Sequence, residues 1–155
     1  MIPRRPLVAL FLGLILIALG GCGSEPDTPE GQVRMRIGEM EAAAEAGDIG
    51  TFKELVSERY NDPYGNDKRL LTSFVTFHVL QNQRGREVIV RLREVQLVEP
   101  SRAAVSAHIG LAGAGASSAL RGSVYALELD LEQEEDEEWR ITWAQWKRAG
   151  AGELL

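Results

Sequence analysis

In VIVRLREVQL, residues 88–97, the spacing of apolar residues changes from a helical period to a period of two, which marks the passage from helices to a sheet. Val88, Val90 and Leu92 share one face of a predicted strand. The apolar residues after them, beginning with Val95, continue with the opposite parity. Either a β-bulge lies in the middle of this strand or both of its faces are partly covered.

Three more strands are predicted after this stretch. Alternating apolar residues mark strands at 103–111, 122–131 and 139–146. The small residues of 110–118 read as a hairpin loop. The acidic run 132–138 reads as a solvated hairpin tip and not as a metal site. Hairpin connections of this kind predict an antiparallel sheet.

The last strand carries the three tryptophans of the chain. A regular period of two places Trp139, Ile141 and Trp143 on one face and Trp146 on the other. Trp139 and Trp143 are therefore expected in the core. Trp146 either lies under a covering element or faces a partner.

Before the sheet, apolar residues recur at helical spacing in three segments: 32–46, 49 to about 59, and 68 to about 82. Gly47 is expected to end the first helix and Asp48 to cap the second. Three helices followed by four hairpin-connected strands predict an α+β domain. A bulged strand lets such a sheet curl, so that helices across its open side close a cone with a pocket inside.

The N-terminus has the layout of a secretory signal: a basic head, thirteen apolar residues, then small residues. Leu19-Gly20-Gly21-Cys22 resembles the lipobox of bacterial lipoproteins. This resemblance implies that residues 1–21 are removed and that Cys22 carries the lipid. Residues 22–30 then form a flexible tether, 31–148 the domain and 149–155 a C-terminal tail. A plain signal peptide that happens to end near a cysteine is the alternative.

The resemblance also implies a location. Gly23, at the position that sorts lipoproteins in enterobacteria, favours the outer membrane, with the domain facing the periplasm. The membrane is thus an expected partner, through lipidated Cys22. The chain has 17 basic and 23 acidic residues, and removing residues 1–21 leaves 15 against 23, or −8. That balance argues against nucleic acid as a partner.

The order of elements resembles the NTF2-like (SnoaL-like) superfamily over residues 31–148. The resemblance rests on Ala43-Ala44-Glu45-Ala46-Gly47-Asp48, Tyr60-Asn61-Asp62 and Trp139-Arg140-Ile141-Thr142. It implies a cone of three N-terminal helices packed on a curved four-stranded antiparallel sheet. Homodimerisation through the sheet is a further implication. The superfamily includes dehydratases, isomerases, polyketide cyclases and many members without known activity, so the fold alone does not give the function.

In the enzymes of the superfamily, an Asp or His in the cone does acid–base work. The catalytic candidates here are His78 and Asp62, although His78 is more simply a hydrogen-bonded core histidine and Asp62 a turn former before Pro63. His108 is expected on the opposite strand face from the core. The expected pocket-lining residues are Tyr60, Tyr64, Leu71, Phe74, His78 and Trp143.

Two classes of function follow. The first is a non-catalytic, lipid-anchored envelope protein whose domain binds a partner protein or a small apolar ligand. The second is a small dehydratase or isomerase that uses His78 and Asp62. The first is preferred because no clear acid–base pair is visible in the sequence. No metal ligands, phosphate-binding loop or cofactor motif is present either, since two lone histidines and one cysteine make no metal site.

Overall fold

Three helices precede four strands along the chain, in a computed structural model that describes residues 27–81, 87–112, 123–150 and 152. The four strands form one curved, unclosed antiparallel sheet in the order β1-β2-β3-β4. The predicted α+β cone is confirmed. The elements are α1 (Pro29–Ala46), α2 (Ile49–Glu54), α3 (Lys68–Gln81), β1 (Glu87–Glu99), β2 (Arg102–Ala112), β3 (Ser123–Gln133) and β4 (Trp139–Ala149).

Local capping sets the bounds of α1. Thr28 accepts a hydrogen bond from the Gly31 N–H at 3.1 Å, and Pro29 occupies the first turn. Gly47 ends the helix in the left-handed conformation, with φ 74°, which a residue without a Cβ adopts without strain. Within the described residues, regular structure therefore begins at Pro29, two residues before the predicted start of the domain.

The predicted second helix is too long. Asp48 caps α2 as expected, by accepting a hydrogen bond from Thr51 N–H at 3.1 Å, but the helix ends at Glu54. Val56 instead forms a parallel bridge with Ile141 of β4. The Ile141 N–H donates to the Leu55 carbonyl and the Ser57 N–H donates to the Ile141 carbonyl, each at 2.9 Å. This pairing with the sheet overrides the local helical pattern.

The bulge in β1 is confirmed. The pairing of β1 with β2 shifts between Leu92 and Glu94, so that Leu92 faces Ala107 while Val95 faces Val105. Ala107 and Val105 lie on the same face of β2, and the shift therefore keeps both apolar sets of β1 on the core side.

A second shift, which the sequence pattern did not indicate, lies in β4. Ile141 pairs with Leu131, but Trp143 pairs with Asp130. Neighbouring residues of β3 point to opposite faces, so Trp143 lies on the outer face of the sheet. The prediction that Trp143 shares the core face with Trp139 is wrong.

Trp146 takes the place expected for Trp143. It pairs with Leu127 and packs, partly buried, against the core. Of the three tryptophans, Trp139 is the deepest, with 2 % of its surface exposed, and its ring N–H donates to Gln32 of α1 at 2.9 Å. The bulge thus exchanges the two tryptophans that follow it.

The core lies between the sheet and the helices, and residues of α1, α2, α3 and the turn after α2 contribute to it. Every described helix and strand lies between residues 29 and 149, so a chain that begins at residue 23 contains all of the described elements. The buried core consists of Val33, Ile37, Met40, Ala43, Phe52, Leu55, Val56, Tyr60, Leu71, Ala103, Val105, Leu127, Leu129, Leu131, Trp139, Ile141 and Ala144.

The acidic run at 132–138 is the predicted hairpin, but part of it is paired rather than only solvated. Arg140 donates to Glu134 at 2.8 Å and binds both carboxylate oxygens of Asp136, at 2.8 and 2.6 Å. Ser57 also donates to Glu134, at 2.6 Å. These contacts fasten the hairpin to the turn after α2. Among the described residues no group of acids and histidines has the arrangement of a metal site.

Several predictions concern residues outside the described ranges: the signal segment 1–21, Cys22, and the loop residues 113–118. None of the described helices is long and apolar enough to cross a membrane.

Candidate ligand-binding site

The loop between α2 and α3 is built around the Asp62 carboxylate, which is 6 % exposed. This carboxylate accepts four hydrogen bonds: from the Tyr60 hydroxyl at 3.2 Å, and from the Tyr64 N–H, the Asn66 N–H and the Asn66 side-chain amide at 2.9 Å each. Gly65 completes the turn with φ 80° and donates its N–H to the Asp62 carbonyl at 3.0 Å. Asp62 therefore has the contacts of a turn-forming residue.

The same contacts set its charge state. Burial alone would raise the pKa of Asp62, but the hydrogen bonds from Asn66, Tyr64 and Tyr60 stabilise the ionised form and outweigh burial, so that the pKa lies below its usual value. A carboxylate held ionised, with both oxygens engaged, is a weak proton acceptor.

Tyr60, 2 % exposed, serves this turn from the core. Burial, and then the neighbouring Asp62 charge, raise the pKa of its hydroxyl well above the usual range. The Tyr60 hydroxyl thus stays protonated and donates a hydrogen bond to the Asp62 carboxylate. Tyr60, expected to line a pocket, instead packs in the core and positions the Asp62 turn.

Three rings meet where this loop reaches the sheet: Tyr64 from the loop, Phe74 from α3 and Trp146 from β4, here called the aromatic cluster. The ring centroids of Tyr64 and Trp146 are 5.0 Å apart, and those of Phe74 and Trp146 are 6.4 Å apart. The Tyr64 hydroxyl donates to the Trp146 carbonyl at 2.8 Å and so fixes the loop to the strand. Tyr64 is 54 % and Phe74 53 % exposed, so the cluster presents apolar ring surface to solvent.

The other residues predicted for the site are spread over the fold. Leu71 is buried in the core on α3, and His78 lies on the same helix, although its side chain lies outside the described residues. Trp143 is on the outer face, which removes it from the pocket-lining set. His108, paired with Ala126, shares that outer face, as expected.

Sequence reasoning missed Trp146 as a site residue, because its place depends on the bulge before Trp143. One signal for the exposed rings was present. Leu70, Phe74 and Phe77 follow one another at spacings of four and three, although Leu71 and Val75 already supply the core side of α3. A helix that is apolar on a second side indicates an additional contact surface.

Comparison with solved structures identifies the class of fold. A candidate dehydratase of the NTF2-like family from Streptomyces avermitilis superposes with a TM-score of 0.64 at 16 % identity, covering 82 % of this chain and 100 % of that one. A ketosteroid isomerase-like protein from Erwinia carotovora atroseptica gives 0.64 at 12 % identity, with 83 % and 99 % covered. A candidate scytalone dehydratase from Novosphingobium aromaticivorans gives 0.65 at 8 % identity, with 77 % and 83 % covered.

These similarities define an α+β cone domain. The fold is similar to that of solved NTF2-like and ketosteroid isomerase-like proteins, which confirms, for the fold of the domain, the resemblance stated from the sequence. No protein-family model matches the chain, and no curated protein matches it in sequence. At these identities the likeness concerns the fold, and the function has to be argued from the residues of this chain.

Proposed function

We propose that the protein is a lipid-anchored envelope lipoprotein whose NTF2-like domain binds a small apolar ligand without catalysing a reaction. One observation carries the proposal: Tyr64 and Phe74 keep more than half of their surface exposed beside the partly buried Trp146. Aromatic side chains contribute large apolar areas on burial, so a ligand that covers these exposed rings removes apolar surface from water.

The aromatic cluster also has the rigidity that a binding site needs. Trp146 is held in the sheet, and the Tyr64 hydroxyl is tied to its carbonyl. Phe74 projects from the second turn of α3. Little side-chain ordering is then required when a ligand covers the rings, which favours affinity.

The alternative, a dehydratase or isomerase that uses His78 and Asp62, receives less support. A general base must lie within reach of the proton that it removes and must have a free acceptor position. Both Asp62 oxygens are already engaged, by donors from Tyr60, Tyr64 and Asn66. The names dehydratase and isomerase describe the similar solved structures. They give no free acceptor position to Asp62 in this chain.

The anchoring part of the proposal rests on Leu19-Gly20-Gly21-Cys22. Acylation at Cys22 would place the lipid seven residues before Pro29, the first residue of α1. Each methylene of an acyl chain contributes about 0.8 kcal/mol in the membrane, and more than one chain is needed for stable anchoring. The domain would then sit close to the membrane surface on its short tether.

A neutral fluorescent probe tests the ligand site. N-phenyl-1-naphthylamine is apolar and fluoresces when it leaves water. We expect the chain from residue 23 onward to bind it, and Phe74→Ala to weaken binding about 10-fold, as expected for loss of a buried aromatic contact. Val98→Ser, at an equally exposed apolar residue of β1, is the matched control and should leave the affinity unchanged.

Two results would contradict the proposal: no saturable binding of the probe, or equal weakening by Phe74→Ala and Val98→Ser. If the surface binds a protein partner instead, the probe would not bind saturably. The wild-type chain would then capture a protein that the Phe74→Ala variant fails to capture. Circular dichroism of both variants confirms that they are folded.

A further inference from the structure

A groove with a volume of about 540 Å³ is lined by residues of α2, α3 and the loop between them, and by none of the described sheet residues. This volume is within the range of small-molecule sites. Thr72 and Thr76 line it from the side of α3 turned away from Phe74, whereas Phe77 lies within about 60° of Phe74 around the helix and lines the groove at that edge. Its lining residues are Lys53, Glu58, Lys68, Arg69, Thr72, Ser73, Thr76 and Phe77.

The charge of this groove is opposite to that of the protein. Lys53, Lys68 and Arg69 line it beside a single carboxylate, Glu58, while the whole chain carries −6. Glu58 pairs with Lys68 at 2.7 Å. Within the described residues, Lys53 and Arg69 form no ion pair, so two cations remain for a ligand. Clustered positive charge in a concave surface attracts anions.

The other residues that line the groove are one aromatic residue and three hydroxyl residues, all from α3. Phe77, 58 % exposed, contributes an aromatic ring to the groove lining. The hydroxyls of Thr72, Ser73 and Thr76 donate to the carbonyls four residues earlier in α3, at 2.7 to 2.9 Å, and keep lone pairs that can accept hydrogen bonds. The groove thus combines cations, acceptors and one aromatic ring.

From this combination we infer a second ligand site, specific for a small amphipathic organic anion, that is, a carboxylate, sulfonate or phosphate carried on an aromatic or acyl body. The anionic group lies between Lys53 and Arg69, and the apolar body lies against Phe77. Glu58 lowers the affinity by neutralising Lys68. The groove shares no lining residue with the aromatic cluster, and the inference does not depend on the function proposed for that cluster.

Two probes with the same apolar body separate the sites. 8-Anilino-1-naphthalenesulfonate is N-phenyl-1-naphthylamine with an added sulfonate. We expect Lys53→Gln and Arg69→Gln each to raise the Kd of the sulfonate about 2- to 5-fold, as partly exposed charge pairs do, and to leave the Kd of the neutral probe unchanged. The controls are Lys147→Gln and Arg91→Gln, at exposed cations on the sheet.

Glu58→Gln provides a test in the opposite direction. It removes the only carboxylate among the groove-lining residues and releases Lys68, so the sulfonate should bind about 2- to 5-fold more tightly. Because the Glu58 side chain is 87 % exposed, this variant should fold normally. Raising NaCl from 0.05 to 0.5 M should weaken binding of the sulfonate and not of the neutral probe.

The inference is overturned if the groove variants and the sheet controls bind the sulfonate equally, or if Glu58→Gln weakens it. It is also overturned if Lys53→Gln weakens both probes alike, because the contact would then not depend on the ligand's charge. Failure of the function proposed for the aromatic cluster has a different signature: the neutral probe does not respond to Phe74→Ala.

Discussion

Replacing the two tryptophans that flank the β4 bulge tests the fold most severely, because an unbulged strand would bury both. Trp139 is 2 % exposed and is bonded to Gln32, whereas Trp143 lies half-buried on the outer face, opposite Asp130. The two residues have the same side chain and lie four positions apart in one strand. Any difference between their alanine variants therefore reports the face on which each one lies.

The expected magnitudes follow from burial. Trp139→Ala should lower the free energy of unfolding by about 3 to 5 kcal/mol, the usual cost of deleting a buried aromatic side chain. Trp139→Phe keeps most of the ring and loses the hydrogen bond to Gln32, which contributes about 1 kcal/mol. Trp143→Ala should cost about 1 kcal/mol, since its ring is only partly removed from water.

Urea unfolding followed by circular dichroism, on the chain from residue 23 onward, measures these values. Equal m values, the slopes of unfolding free energy against urea concentration, would show that the variants unfold in the same transition. A cost of 3 kcal/mol or more for Trp143→Ala, or a cost below 1 kcal/mol for Trp139→Ala, would refute the bulge and return Trp143 to the core face.

Two further predictions concern Asp62 and Cys22. The folded pKa of Asp62 lies below its value of 3.8 in the unfolded chain, so its stabilising effect is present above about pH 4 and is lost as the pH falls through the lowered folded pKa. Asp62→Asn should lower the free energy of unfolding by about 1 to 2 kcal/mol at pH 7 and flatten its dependence on pH below 4. If the pH dependence below 4 is unchanged, the hydrogen bonds of the turn do not stabilise ionised Asp62. Cys22→Ser should yield a precursor that keeps residues 1–21 and carries no lipid, as measured by mass; a variant that matures to the normal mass and still fractionates with membranes would disprove acylation at Cys22.

The order and type of the elements could be predicted from the sequence because they depend on local patterns. The β1 bulge was visible because the apolar parity changes between Leu92 and Val95. The β4 bulge was not visible in the sequence. Trp143 and Trp146 are both apolar, so either of them could fill the core position whether or not the strand is bulged. The early end of α2 was hidden for a similar reason, since the bridge from Val56 to Ile141 joins residues 85 positions apart.

The candidate site was only partly predictable for the same physical reason. Tyr64 and Phe74 were expected to line a pocket, and they belong to the aromatic cluster. Trp146 completes the cluster only because of the bulge, and the groove cations Lys53 and Arg69 belong to two helices whose packing no local pattern specifies. Asp62 could be interpreted as a turn former from the Pro63 that follows it.

Complementation of a deletion strain, with the full chain at matched protein levels, decides most directly between a binding domain and an enzyme. His78→Gln keeps hydrogen-bonding capacity but cannot titrate near neutrality, whereas Phe74→Ala removes an exposed wall of the aromatic cluster. If the domain only binds a ligand, the His78→Gln chain should complement the deletion strain fully and the Phe74→Ala chain should not. The reverse result, loss with His78→Gln and rescue with Phe74→Ala, would contradict it, because general acid–base catalysis contributes about 10² to 10⁴ in rate.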